Sequence, residues 1–266
     1  MKTRVLSALV LIILIVPILI IGEWPFKIMV TVFALAGLYE LLSIKGQDDT
    51  LPIYMKLLAY LTVIFLCFNN SGSLTSTYSI SYKLISAMIF IFLFPLVFIN
   101  DNKKYNVNDA LYLVASVLFI GFSFNLMIIA RESGAEYLLY LFIVTTITDT
   151  FALFTGTLIG KHKLCKTISP NKTIEGAIGG TIMGTFISTC FYMTVIDNTK
   201  SLLLVILISF LLTIVGQIGD LVFSAIKRYY KQKDFSNLIP GHGGILDRFD
   251  SLVFVVLAYI LLMEFI

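Results

Sequence analysis

Three aspartates in the last fifth of the chain, Asp220, Asp247 and Asp250, stand among cations and glycines at spacings that suit a metal ion and a phosphate. The segment runs from Asp220 through Ser224, Lys227, Arg228, Lys233, Asp234 and Ser236. It then passes Pro240, Gly241, His242, Gly243 and Gly244 to reach Asp247, Arg248 and Asp250. Gln217, Asp220, Ser224, Lys227 and Lys231 follow steps of three and four and are expected on one helix face. With a rise of about 1.5 Å per residue, Asp220 and Lys227 lie about 10 Å apart along that helix. A carboxylate below a cationic mouth fits a metal with an anionic substrate. The glycine-rich run predicts a tight turn, because glycine adopts backbone shapes other residues resist. Amides in such a turn can hold a phosphate. The three carboxylates are hard oxygen donors of the kind Mg²⁺ prefers, and Mg²⁺ sites for nucleotides use one or two carboxylates plus substrate phosphates. Plainer roles exist: Asp247 with Arg248 as a surface ion pair, His242 as a turn residue. Their coincidence with Asp220 inside an apolar run favours a site.

A second polar segment, Gly160–Gly176, carries Lys161, Lys163, Lys166 and Lys172. Ser169-Pro170 predicts a helix start there, since proline suits the first helical position, and Glu175 then complements the helix dipole. Lysines and hydroxyls beside a helix N-terminus suit a phosphate. The segment reads equally well as a capped helix end with basic membrane anchors. Asp149 is the other carboxylate deep inside an apolar run, where a charge needs a cavity or a partner. Glu40 and Glu264 lie near run ends and are expected to be interfacial anchors. P-loop, zinc-protease and serine-hydrolase motifs do not occur.

The elements carrying these residues are apolar helices. Of 266 residues, 58% are hydrophobic and 13% charged, against about 25% charged in soluble domains, and mean hydropathy is +0.96. This composition excludes a water-soluble globule, a disordered chain and a nucleic-acid-binding module. Nine runs approach the length needed to span a bilayer: Val5–Ile21, Phe26–Ile44, Ile53–Phe68, Leu84–Ile99, Ala110–Ala130, Tyr137–Gly160, Gly176–Ile196, Leu202–Ile226 and Ser251–Ile266. No small-residue cleavage site follows the first, which is expected to remain as a span. The fold class is therefore an all-α polytopic membrane protein of about nine helices. With the N-terminus in the cytoplasm, 15 Lys and Arg residues face inward and 4 outward, as the positive-inside rule requires. Residues 1–135 form an N-terminal group of about five spans, and 136–266 a C-terminal region with both polar loops. Gly156 and Gly160 suit close helix packing. Cys67, Cys165 and Cys190 fit no disulfide or metal pattern.

Ser224 to Asp250 resembles the signature of the phosphatidate cytidylyltransferases (CDP-diacylglycerol synthases). Matching positions are Ser224, Lys227, Arg228, Lys233, Asp234, Ser236, His242, Gly243, Gly244, Asp247, Arg248 and Asp250. Ser169-Pro170-Asn171-Lys172-Thr173-Ile174-Glu175-Gly176 is similar to a second family segment, and Asp149 to an aspartate in the preceding span. The resemblance implies that CTP and phosphatidate give CDP-diacylglycerol and pyrophosphate with Mg²⁺, and admits K⁺ as a second cation. Asp220 and Asp247 are the best pair for the metal, because one sits below the cationic mouth and the other follows the glycine turn, and Asp220, Lys227, Arg228, Asp247 and Arg248 are the expected catalytic set. Substrate-binding positions are then Asp149, Ser169, Lys172, Thr173, Glu175, Ser224, Lys233, Asp234, His242, Gly243, Gly244 and Asp250. A homodimer in the cell membrane with a cytoplasmic active site is also implied. A related CTP-using lipid enzyme, such as a polyprenol kinase or ether-lipid synthase, would share the carboxylates and basic mouth. A transporter of anionic substrates would instead need midplane breaks and paired repeats.

Overall fold

The computed structural model describes residues 13, 15–45, 51–68, 82–99, 105–239, 241 and 243–262. After a helical stretch at 15–21, the helices are α1 (Glu23–Lys45), α2 (Ile53–Phe68), α3 (Tyr82–Leu93), α4 (Pro95–Phe98), α5 (Val107–Ser133) and α6 (Ala135–Ile159). A hairpin of β1 (Lys163–Cys165) and β2 (Ser169–Thr173) follows, then α7 (Ile174–Phe191), α8 (Leu202–Tyr229) and α9 (Leu246–Leu262). A π-helical turn, Tyr192–Ile196, prolongs α7. The protein is thus helical but not purely so, because the hairpin interrupts the expected all-α chain.

Among the described residues, five helices are long and apolar enough to cross a membrane: α1, α5, α6, α7 with its π turn, and α8. The expected third and ninth spans form helices of 16 and 17 residues. The fourth is divided into α3 and α4 around Phe94, where Pro95 opens the second piece; proline has no N–H to continue the ladder. The expected first span falls largely outside the described residues, as do Glu264 and the polar stretch at 69–81.

Two compact units divide the chain. One comprises Met1–Glu132 with Phe235–Ile245, the other Ser133–Asp234 with Leu246–Ile266. In the first, Leu38, Ala59, Val63, Leu113, Val117 and Phe124 are fully buried. Polar bonds tie its helices: Lys45 pairs with Asp109, Tyr112 donates to the Leu41 carbonyl, and Asn125 donates to the Leu66 carbonyl.

In the second unit, glycines bring α6 and α7 together. A Cβ on Gly176 would lie 2.6 Å from the Ala152 carbonyl, and one on Gly184 2.2 Å from the Thr148 hydroxyl. A Cβ on Gly156 of α6 would lie 2.9 Å from Thr173 and one on Gly160, the residue that ends it, 2.8 Å, so this pair does serve close packing. Small residues allow backbones to approach where lipid supplies no hydrophobic drive. Leu153, Phe154, Ile178, Ile182 and Phe186 stay exposed on these helices, as side chains facing a bilayer do.

The ends of α7 and α8 depart from expectation. Ser169-Pro170 lies in β2 rather than opening a helix; the cap falls at Thr173, whose Oγ1 accepts from Gly176 N at 3.1 Å. Ser169 is instead taken up in strand pairing with Cys165, and the threonine cap at 173 satisfies an orphan donor of the helix start. At its other end α8 stops at Tyr229, so Lys231 leaves the face it was expected to share. Gln232 N donates to Lys227 O at 2.8 Å and Lys231 N to Arg228 O at 3.0 Å, with Lys231 left-handed at φ 58°. These are the two bonds of a Schellman ending.

A Cβ on Gly180 would stand 2.6 Å from the Thr148 carbonyl and 2.9 Å from the Ala152 Cβ. Gly180→Val should therefore push α6 from α7, costing about 1–3 kcal/mol. The measurement is a lower melting temperature of the detergent-solubilised protein.

Candidate active site

The hairpin carries Lys172 on its second strand. Its strands pair Lys163 with Thr173 and Cys165 with Ser169. Glu175 locks the hairpin's base, its carboxylate accepting from the Lys161 and His162 amides and lying 2.6 Å from His162 Nδ1. From this frame Lys172 Nζ reaches Asp220 Oδ2 of α8 at 2.5 Å. Ser224, one turn further along α8, stands 3.3 Å from Asp220 Oδ1 and donates to it. Arg228 fastens the opposite side of the hairpin, its Nε donating to the Ile168 carbonyl at 3.3 Å and its Nη1 to the Gln232 carbonyl at 3.0 Å.

A second ion pair lies two helical turns beyond the first. Lys227 Nζ of α8 donates to Asp247 Oδ1 of α9 at 2.7 Å, with the two side chains 10% and 4% exposed. Asp149 of α6, Asp220 of α8 and Asp250 of α9 lie within electrostatic reach of one another, with Lys172 acting on Asp149 and Lys227 on Asp250. The second unit thus gathers Asp149, Lys172, Asp220, Ser224, Lys227, Asp247 and Asp250 from four elements. Lys233, Asp234 and Arg248 are exposed, Lys233 and Asp234 just past the end of α8 and Arg248 in the first turn of α9. Ser169 is half-buried in β2.

The glycine turn belongs to the other unit. Gly241 and Gly243 are left-handed at φ 79° and 82°, and Ile239 N donates to Gly243 O at 2.9 Å. This is the tight turn the glycines predict. His242 and Pro240 lie outside the described residues. Glu40 of α1, expected to be an interfacial anchor, is instead fully buried and is held by this turn. Its Oε1 accepts from Ser236 Oγ at 2.6 Å and from Ile245 N at 2.7 Å. Buried carboxylates require such donors, and a separation of 196 residues from Ser236 left no sequence signal for the contact.

Among the described residues, no three His, Cys, Asp or Glu side chains form a group able to hold a metal by themselves. The oxygen donors are the carboxylates of Asp220 and Asp247, each beside a lysine. Such a set suits Mg²⁺ that draws the rest of its shell from phosphates and water.

Residues 2–266 match the family model described as Cytidylyltransferase family. The chain belongs to that family. A curated relative from Staphylococcus haemolyticus, named phosphatidate cytidylyltransferase, is 38% identical over 257 residues, 96% of each chain. Relatives of the same name from Staphylococcus saprophyticus and Staphylococcus aureus are 36% and 35% identical, again over 96% of each chain. A cytidylyltransferase brings a nucleoside triphosphate to an acceptor, and the second unit carries two lysine–carboxylate pairs.

Lys227→Met should leave Asp247 buried without its cation and cost about 3–5 kcal/mol. Joined with Asp247→Asn, most of that loss should return, because both charges are then gone. Thermal melting of the single and double variants checks this; equal melting temperatures for the two would show that Asp247 does not depend on Lys227.

Proposed function

We propose that the faces of α8, α9 and β2 bearing Lys172, Asp220, Lys227 and Asp247 form the catalytic centre. The enzyme is a CTP:phosphatidate cytidylyltransferase, joining CTP and phosphatidate into CDP-diacylglycerol and pyrophosphate. The observation that carries the proposed centre is the convergence of two carboxylate–lysine pairs from three separate elements. In the proposed step an oxygen of the lipid phosphate forms a bond to the α-phosphorus of CTP. The bond from that phosphorus to the bridging oxygen of the β-phosphate breaks, and pyrophosphate leaves with the electron pair. A phosphate oxygen is already nucleophilic near neutral pH, so positioning and charge compensation matter more than a general base.

Lys172, Lys227, Arg228 and Arg248 neutralise the two anions as they approach. A lysine that now meets a carboxylate is already placed to meet a phosphate oxygen. Asp220 and Asp247 would hold Mg²⁺, which supplies Lewis-acid neutralisation of the phosphates when bound. Asp149 and Asp250 give further oxygens, to which K⁺ is suited as a second cation. Ser169, Ser224, Lys233, Asp234, His242, Gly243 and Gly244 contribute hydroxyl, charged and backbone contacts to substrate. Thr173 and Glu175 contribute through the hairpin they fix.

The same reading includes nine spans, a cytoplasmic N-terminus, a homodimer and a place in the cell membrane, with the site toward the cytoplasm. Support comes from the charge bias of 15 to 4 and from the solubility of CTP, which does not cross a bilayer. A phosphatidate head at the membrane edge then meets a nucleotide from the aqueous side.

Purified protein in mixed micelles with radiolabelled CTP and phosphatidate should form CDP-lipid, with activity lost on chelation and restored by Mg²⁺. Asp220→Asn should lower turnover at least about 100-fold while the protein stays folded. Near-wild-type turnover at saturating Mg²⁺ would remove Asp220 from the centre. Single cysteines at Asn171 and Asn237, in a protein freed of native cysteines, should label only from the cytoplasmic side of sealed vesicles, and one at Asn198 only from the other side.

A further inference from the structure

Glu40 is a fully buried carboxylate in a membrane-spanning helix, and no step of the proposed reaction uses it. Such a charge is costly and persists where it does something. Its environment specifies what. Oε1 takes the Ser236 hydroxyl at 2.6 Å and the Ile245 amide at 2.7 Å, at the two ends of the turn that contains Gly241 and Gly243. Between them, Gly244 presses on the same group: a Cβ there would stand 2.3 Å from Oε1 and 2.6 Å from Cδ. Ser236 Oγ also accepts from Leu238 N at 3.2 Å. One carboxylate oxygen thus clamps both ends of a loop whose middle is glycine, and glycine alone has little tendency to hold a single shape.

We infer that Glu40 is the positioning residue of the glycine turn, fixing its ends at Ser236 and Ile245 so that the Gly243 and Gly244 amides are presented to a substrate phosphate. This rests on the reading that the turn meets substrate. The clamp assigns a reason to two small residues. Ser236 is the donor that closes the loop's entry, and Gly244 is glycine because the carboxylate occupies the space of a side chain.

The test uses the full-length protein with Glu40→Ala, Glu40→Gln, Ser236→Ala, Gly244→Ala and His242→Ala, read by steady-state kinetics, melting temperature and hydrogen exchange at the Ile245 amide. Losing one such hydrogen bond corresponds to about a tenfold effect. Glu40→Ala and Ser236→Ala should raise the KM for CTP about tenfold, with a smaller change in kcat, and Glu40→Ala should speed exchange at Ile245. Glu40→Gln keeps an acceptor at the same place and should return KM and exchange toward wild type. Gly244→Ala should impair the protein, and less so in the Glu40→Ala background, where the colliding carboxylate is absent. If Glu40→Ala fails to fold, Ser236→Ala, at a half-buried position, carries the same prediction. Wild-type KM and exchange in Glu40→Ala and Ser236→Ala, with His242→Ala impaired, would overturn the clamp while leaving the turn in the site. Wild-type kinetics in His242→Ala together with faster Ile245 exchange in Glu40→Ala would instead remove the turn from the site, and with it the proposed role of Glu40.

Discussion

A charge carried on an apolar helix has to be met by an opposite charge or by hydrogen-bond donors, because the surroundings offer no water to stabilise it. The carboxylates that tie this protein's elements together obey that constraint. Asp220 meets Lys172, Asp247 meets Lys227, Asp109 meets Lys45, and Glu40 meets a hydroxyl and an amide. Each pairing joins segments distant in the chain, so satisfying charge and building tertiary structure are the same act. Pairs of this kind add little net stability over apolar packing, yet are expensive to break singly. They consequently specify which elements must lie together.

The glycines of α6 and α7 make the first pairing possible. Close approach of the two helices sets the start of α7, where Thr173 caps it and Glu175 gathers the amides of Lys161 and His162. The hairpin is thereby a rigid arm, and Lys172 is delivered to α8 at salt-bridge distance. A flexible loop with the same four lysines would be an electrostatic attractant for phosphate. Held in place, one of those lysines has a fixed position, and in the proposed centre it leaves less ordering entropy for substrate to offset.

Membership of the cytidylyltransferase family accords with this arrangement. Two anions have to be brought together for nucleotidyl transfer, and alternating carboxylates and lysines can accept metal and phosphate side by side. The exposed apolar side chains of α6, α7 and α8 place the same residues in a protein that lives in lipid, where one substrate is also found.

Much of this was legible in the sequence alone. Hydropathy determined the helical class and most helix limits, since burying backbone polar groups in lipid leaves a chain little choice but helix. The expected Leu202–Ile226 became Leu202–Tyr229, and Tyr137–Gly160 became Ala135–Ile159. The candidate carboxylates and cations were legible too, because polar residues are conspicuous in an apolar chain. Tertiary structure decided the partners. Nothing local marks Lys172 for Asp220 or Glu40 for Ser236, as both contacts span long stretches of chain. It also decided that Ser169-Pro170 lies in a strand and that Lys231 leaves the α8 face: a threonine cap and a left-handed helix ending outweighed local propensity at both places. Residue types announce which charges need company, but only the packed chain can bring that company within hydrogen-bonding distance.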